Sequence, residues 1–406
     1  MSTRRLPVRP NLDQLEHQAK DLLREMQITH PDAKLADAQL ALARDYGASS
    51  WTRLSHAVQL AEAVWQDDLE AVRTLVTGNP QLIHEHVLIR TNSNWGPPMT
   101  YAANLGRNLI IEMLRSLGAT DLETAMDRAA LQGQVETGLM LHAMLGRPVP
   151  PDDSLGGPAY TLSQAGTEFL LALGARVRDE AGRRTAPVDV VLQTDSRKPA
   201  AKHAILAMYE KHGVNYPDTA PMALHRGRID LLEEHLRRDP GLLGRTFSHR
   251  EIYPAEMGCG DPLDATTGTP LGGTTLLHMC VDYDEIEITR WLLDRGMDPD
   301  VRAAVGASGF GGYSALFSTV VSQPNFWMNH NQRGPFEAPL TELLLERGAD
   351  PNLRASIWKR LHPGHGDPAR HDYRDVTAVS WGRRFHAPIF VSEPAMRLIE
   401  AAGGVE

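Results

Sequence analysis

Two stretches of the chain repeat one order of residues. The clearer copy runs from Gly273 to Asp300: a start at Thr275, Leu277 and His278, a turn at Asp284, then Ile286, Ile288, Leu292, Leu293 and a closing Gly296. The other begins at Pro97 and Pro98, passes Thr100, Tyr101, Ala102 and Ala103 to a turn at Gly106, then continues through Ile110, Ile111, Met113 and Leu114 to Gly118. In both, the turn and the closing glycine stand 12 residues apart, Asp284 to Gly296 and Gly106 to Gly118. Apolar positions at helical spacing on either side of the turn predict two helices per unit. Such a pair has an apolar face that it cannot bury alone, so these units are stable only when neighbours stack on them.

These residues resemble the ankyrin repeat: a turn, a Thr-Pro-Leu-His start to the first helix, a short turn, a Leu-rich second helix and a Gly-Ala-Asp-x-Asn ending, about 33 residues in all. Leu276 stands where the family has Pro, and Asp284 where it has the mid-repeat Gly. Weaker copies run Ala61 to Pro80, Leu122 to Gly146, Ser163 to Ala175, Ala186 to Gly213, Ala220 to Pro240, Ser314 to Asn352 and Thr377 to Gly403. That makes about nine divergent units over residues 59–406. The chain is similar in particular to bacterial ankyrin-repeat proteins, in which a start like Leu6 to Leu12 often precedes the repeats. The resemblance implies an all-α fold: an ankyrin-repeat solenoid of helix-turn-helix units with long loop insertions and a helical N-terminal cap over residues 1–58.

The cap has its own periodicity. Leu12, Leu15, Ala19, Leu22, Leu23 and Met26 make one apolar helix face, a second helix is expected from about Asp32 to Asp45, and Ser49 can cap a third that carries Trp51 and Leu54. With 41 basic against 51 acidic side chains the net charge is −10, which disfavours nucleic acid and anionic membranes as partners. Apolar stretches fall short of the roughly 18 to 20 residues that span a bilayer. No secretory signal is visible and there are only 2 cysteines, so the expected compartment is the cytoplasm.

In the family, the turns and first helices line a concave groove where partners bind. Carried over position by position, the groove-facing, ligand-binding residues are Trp65, Tyr101, Asn104, Arg128, Gln132, Tyr283 and Trp381. Aromatics and Arg suit both protein hot spots and small-ligand pockets, so the partner is a protein, a peptide or a small molecule. His278 holds the family's His position, where the imidazole usually bonds backbone. Cys280 belongs to the core.

Three long insertions depart from the pattern: Phe247 to Gly272, Gln323 to Phe336 and Trp358 to Tyr373. Loops of this length are often functional. The first gathers His249, Glu251 and Tyr253, residue types that supply general acids and bases; with His225, Arg226 and Asp282 they form the candidate catalytic set. Ordinary hydrogen bonds that tie down the loop explain the same residues more simply. The third holds His362, His365, Asp367 and His371; such a loop can wrap a cation, but an exposed polar loop is commoner, and no metal is assigned. No nucleophile elbow, phosphate loop or Cys-x-x-Cys pair occurs, no cofactor is identified, and Gly306 to Gly312 reads as a flexible finger turn. Two functions remain: a binding scaffold that recognises its partner in the groove, or an enzyme of hydrolase type with its site in the groove under the 247–272 insertion.

Overall fold

The computed structural model describes residues 4–90, 93–261, 271–322, 337–361 and 366–406. The chain forms two compact units, residues 1–158 with 165–175, and 159–164 with 176–406. Each is mostly helical.

The first unit starts with helix Leu12–Thr29, whose Asn11 cap accepts a hydrogen bond from the Gln14 amide and whose Leu15 and Ala19 are buried, as the periodicity predicts. Leu35–Asp45 packs beside it, and Trp51–Trp65 follows with a Ser50 cap. The boundary expected at residue 58 falls inside this last helix. Leu69–Gly78, Pro98–Asn104, Asn108–Ser116, Leu122–Gln132 and Val135–Met144 continue the unit.

In the second unit, short buried helices alternate with amphipathic ones. All eight residues of Leu276–Tyr283 are buried, whereas Ile286–Asp294 buries Ile288, Thr289, Leu292 and Leu293 and leaves its other face to solvent. Asp284 turns between them at φ +61°, the left-handed conformation that Gly106 and Gly227 adopt at the same place in their helix pairs. Asp tolerates this region better than most side chains, so the loss of the family's glycine leaves the turn intact. Ala220–His225 with Ile229–Arg238, and Ala378–Arg384 with Glu393–Ala401, are built the same way.

The fold is not purely helical. Strands Ala355–Lys359 and His371–Val376 pair antiparallel, with Ile357 opposite Tyr373 and Lys359 opposite His371. They occupy part of the insertion expected as a loop from Trp358 to Tyr373. Neighbouring turns extend them: the Gly311 amide donates to the Ser356 carbonyl and the Ala304 amide to the Gly273 carbonyl, both at 2.7 Å. The insertion that begins at Phe247 is likewise built into the core, with Phe247, Ile252 and Met257 buried around helix His249–Ile252. Residues 262–270 and the expected insertion 323–336 lie outside the described residues.

Candidate functional site

Charged and aromatic side chains from several elements of the second unit meet below the surface. Pro199 opens helix Pro199–Lys211, with Arg197 just before it and Lys202 in its first turn. His225 and Asp282 each stand two residues before the left-handed turn of their helix, Gly227 and Asp284, and so at equivalent places on two short helices that contact each other. Tyr253 follows helix His249–Ile252, and Tyr283 follows Asp282.

Arg197 is the hub. Its Nε donates to the Asp282 carbonyl at 2.6 Å and its Nη2 to Asp282 Oδ2 at 3.0 Å, while Nη1 bonds the carbonyls of Thr194 and Ser196. Burial is the largest influence and opposes the guanidinium charge, but Asp282 together with Tyr283, Tyr253 and Asp195 outweighs it and raises the pKa. Lys202 Nζ lies 2.8 Å from His225 Nδ1 and 3.5 Å from the centre of the Tyr283 ring. His225 Nε2 lies 3.0 Å from the Ile252 carbonyl, which makes Nε2 the protonated nitrogen and Nδ1 the acceptor for Lys202. Burial lowers the Lys202 amine to about 7, against the pull of Glu285, and burial together with the Lys202 charge holds His225 neutral. Tyr283 donates its hydroxyl to the Leu192 carbonyl at 2.7 Å, so Tyr253 donates to Tyr283. Glu285 meets the half-buried His203 at 2.7 Å.

Of the catalytic candidates, the structure therefore gathers His225, Tyr253 and Asp282 around Arg197 and Lys202. His249 packs at the edge, its ring 5.0 Å from that of Tyr253 and its Nε2 3.1 Å from the Gly260 carbonyl. Glu251 does not join them: it accepts from Ser248 and Arg245, closing a capping box at the start of its own helix. Arg226 turns away to Glu210 and the Tyr216 ring.

The residues expected to face a groove are mostly internal. Tyr283 and Tyr101 are buried, and the Tyr101 hydroxyl donates to the Val8 carbonyl at 2.6 Å. Asn104 is buried between the Thr100 carbonyl and Arg128 Nε, at 2.9 and 3.0 Å. Trp381 is fully buried against Phe317, Phe385 and Tyr373. Gln132 is exposed. Trp65 is half-buried, with the Arg9 guanidinium 5.4 Å above its ring. Short helices packed side by side take Tyr101, Asn104, Tyr283 and Trp381 into the core, while Gln132 stays at the surface. His278 is fully buried, its Nε2 3.0 Å from the Tyr313 carbonyl and its Nδ1 accepting from Thr275 Oγ1 at 2.9 Å.

Arginines and aromatics of matching chemistry lie instead along the strand pair and the neighbouring turn that carries Phe310. Arg370 lies 4.9 Å above the Trp358 ring and 5.1 Å above that of Phe310, and Arg374 approaches Phe310 at 4.3 Å. Val305, 64% exposed, lies on the same turn as Phe310. Arg354 bonds the Asp375 carbonyl at 2.6 Å and so ties the two strands together. Asp367 and His371 pair at 3.0 Å, and His371 stacks on His386; His362 and His365 lie outside the described residues. Among the described residues no three His, Cys, Asp or Glu side chains converge as a metal site requires, and no helix is long and apolar enough to cross a membrane.

No curated protein matches the chain. One segment does match a family profile, and it is the segment that contributes His278, Asp282 and Tyr283: residues 272–304 are an ankyrin repeat, set in an otherwise mostly helical protein.

Proposed function

We propose that the protein is a cytoplasmic recognition scaffold that binds a protein or peptide through the strand pair and the neighbouring 305–310 turn of its second unit. The carrying observation is the Trp358, Arg370, Phe310 and Arg374 stack, which presents partly exposed cations on aromatic faces beside the exposed Val305. Arg and aromatic side chains are enriched at protein hot spots. The ankyrin repeat in residues 272–304 supports the same reading. The buried Arg197 network supports it indirectly, because its donors are used within the chain and it acts as a staple between inner helices. A suitable test captures binding proteins from a cell lysate on the full chain and on the triple variant Trp358→Ala, Arg370→Ala, Arg374→Ala. A partner retained by the wild type and lost from the folded variant is expected; retention of the same proteins by both overturns the proposal.

A second reading, an enzyme of hydrolase type, is favoured by the contact of His225 with the Lys202 amine, which burial lowers to about 7, and by the Tyr253 ring beside His225, groups able to exchange protons. Its requirement is that Lys202→Met abolish turnover of an ester or amide substrate by a protein that remains folded.

A further inference from the structure

The first unit carries an open groove of about 760 Å³ between the start of helix Leu12–Thr29, the second half of Trp51–Trp65 and helix Leu69–Gly78. Cavities of this size hold ligands. Its floor is apolar, made by Leu12, Val58, Ala63, Ala71 and Leu75, of which Leu12, Ala71 and Leu75 remain half-buried. Its lining also carries Asp13, Glu62, Asp68 and Glu70, and no Lys, Arg or His. Arg9 reaches Glu62 at 3.5 Å and Arg73 reaches Glu70 at 3.4 Å, which compensates only part of this charge from outside the groove.

We propose that this groove docks a basic amphipathic helix of another protein. Its walls are helices, and the wall Leu69–Gly78 has 10 residues, about 15 Å or nearly three turns of a partner helix. A partner with apolar residues at i, i+3, i+4 and i+7 covers the floor with one stripe, and its flanking Lys and Arg side chains meet the carboxylates. An acidic or purely apolar helix would leave those carboxylates desolvated without a counter-charge. The chain's own basic start is not the occupant: Leu6 is buried, Arg4 pairs with Asp45 and Arg9 already contacts Glu62.

The test uses the full chain and a synthetic Leu/Lys peptide of about 14 residues, four helical turns, with Leu in the stripe. Binding is followed by fluorescence anisotropy at low and high salt. Binding that weakens with salt is expected, and the matched Leu/Glu peptide should not bind. Two variants should each weaken binding by about tenfold or more: Ala71→Phe, which fills the floor, and Asp13→Asn with Glu70→Gln, which removes rim charge. Glu16→Gln with Glu25→Gln, on the exposed face of the first helix, should change nothing. If Ala71→Phe fails to fold, the charge pair decides. Equal binding of the acidic peptide, equal loss in the Glu16 and Glu25 control, unchanged binding in the groove variants, or displacement of the peptide by spermine alone without any effect of the floor variant overturns the proposal.

Discussion

Arg197 and Asp282, 85 positions apart in sequence, are joined twice, once through the Asp282 backbone carbonyl and once through its carboxylate. Both side chains are only 6% exposed. Removing one partner of a buried pair leaves the other charge without compensation, at a cost of about 3 to 5 kcal/mol. Arg197→Met should therefore lower unfolding free energy in urea by that order. Arg197→Met with Asp282→Leu should recover part of the loss, because an apolar pair has no stranded charge. A single variant as stable as wild type would show that the pair is not buried.

Gly227 is required by two constraints at once. Its φ of +66° is unfavourable for an L side chain, and a Cβ built there would land on the His203 ring. Gly227→Ala should cost more than about 1 kcal/mol, the ordinary penalty for the conformation alone. Displacement of the ring also breaks the His203 to Glu285 contact. In a His203→Ala background the clash is absent, so the same substitution should cost only the conformational part; equal penalties in both backgrounds would refute the coupling.

Much of the architecture was legible because its signals are local. Leu15 and Ala19 follow helical spacing, and His225 and Asp282 occupy matching positions before a turn, which is why both are found in one cluster. Arg197 and Lys202 carry no such signal: they flank a helix start in a polar stretch, and only burial beneath Tyr283 gives them meaning. Strand Ala355–Lys359 hides for a related reason, since its inward positions are Ala355, Ile357 and Lys359, and a buried Lys breaks the alternation that marks a strand. The groove residues fail in the opposite way. They lie on helices, but sequence does not say how closely neighbouring short helices pack, and Tyr101 and Trp381 become core.

His278 links its repeat to the next finger through the Tyr313 carbonyl. His278→Leu leaves that buried acceptor without its donor and removes the reciprocal bond with Thr275. A loss of about 1 to 3 kcal/mol is expected. Amide exchange should accelerate around residues 303–313 more than in helix Pro199–Lys211; uniform acceleration would indicate a general rather than a local role.

Lys202 and Lys359 set the pH dependence on the alkaline side. Burial lowers both amines from 10.5 to about 7, with Asp282 opposing the shift in each case. An amine whose pKa is lower in the folded state binds fewer protons there than in the unfolded chain. Stability therefore carries the full cost below about pH 7 and recovers as pH rises from 7 towards 10.5. A counter-effect begins near pH 9, where the unfolded thiols and then phenols ionise while burial keeps Cys259 and Tyr283 protonated in the fold. The clean window is thus pH 7 to 9. Each amine contributes a slope of at most about 1.4 kcal/mol per pH unit there. Urea unfolding across the window should show stability rising with pH in the wild type, a shallower rise in Lys202→Met, and the shallowest in Lys202→Met with Lys359→Met. A wild-type profile that is flat or falling from pH 7 to 9 would mean that both amines keep their protons in the fold, so that burial does not lower them.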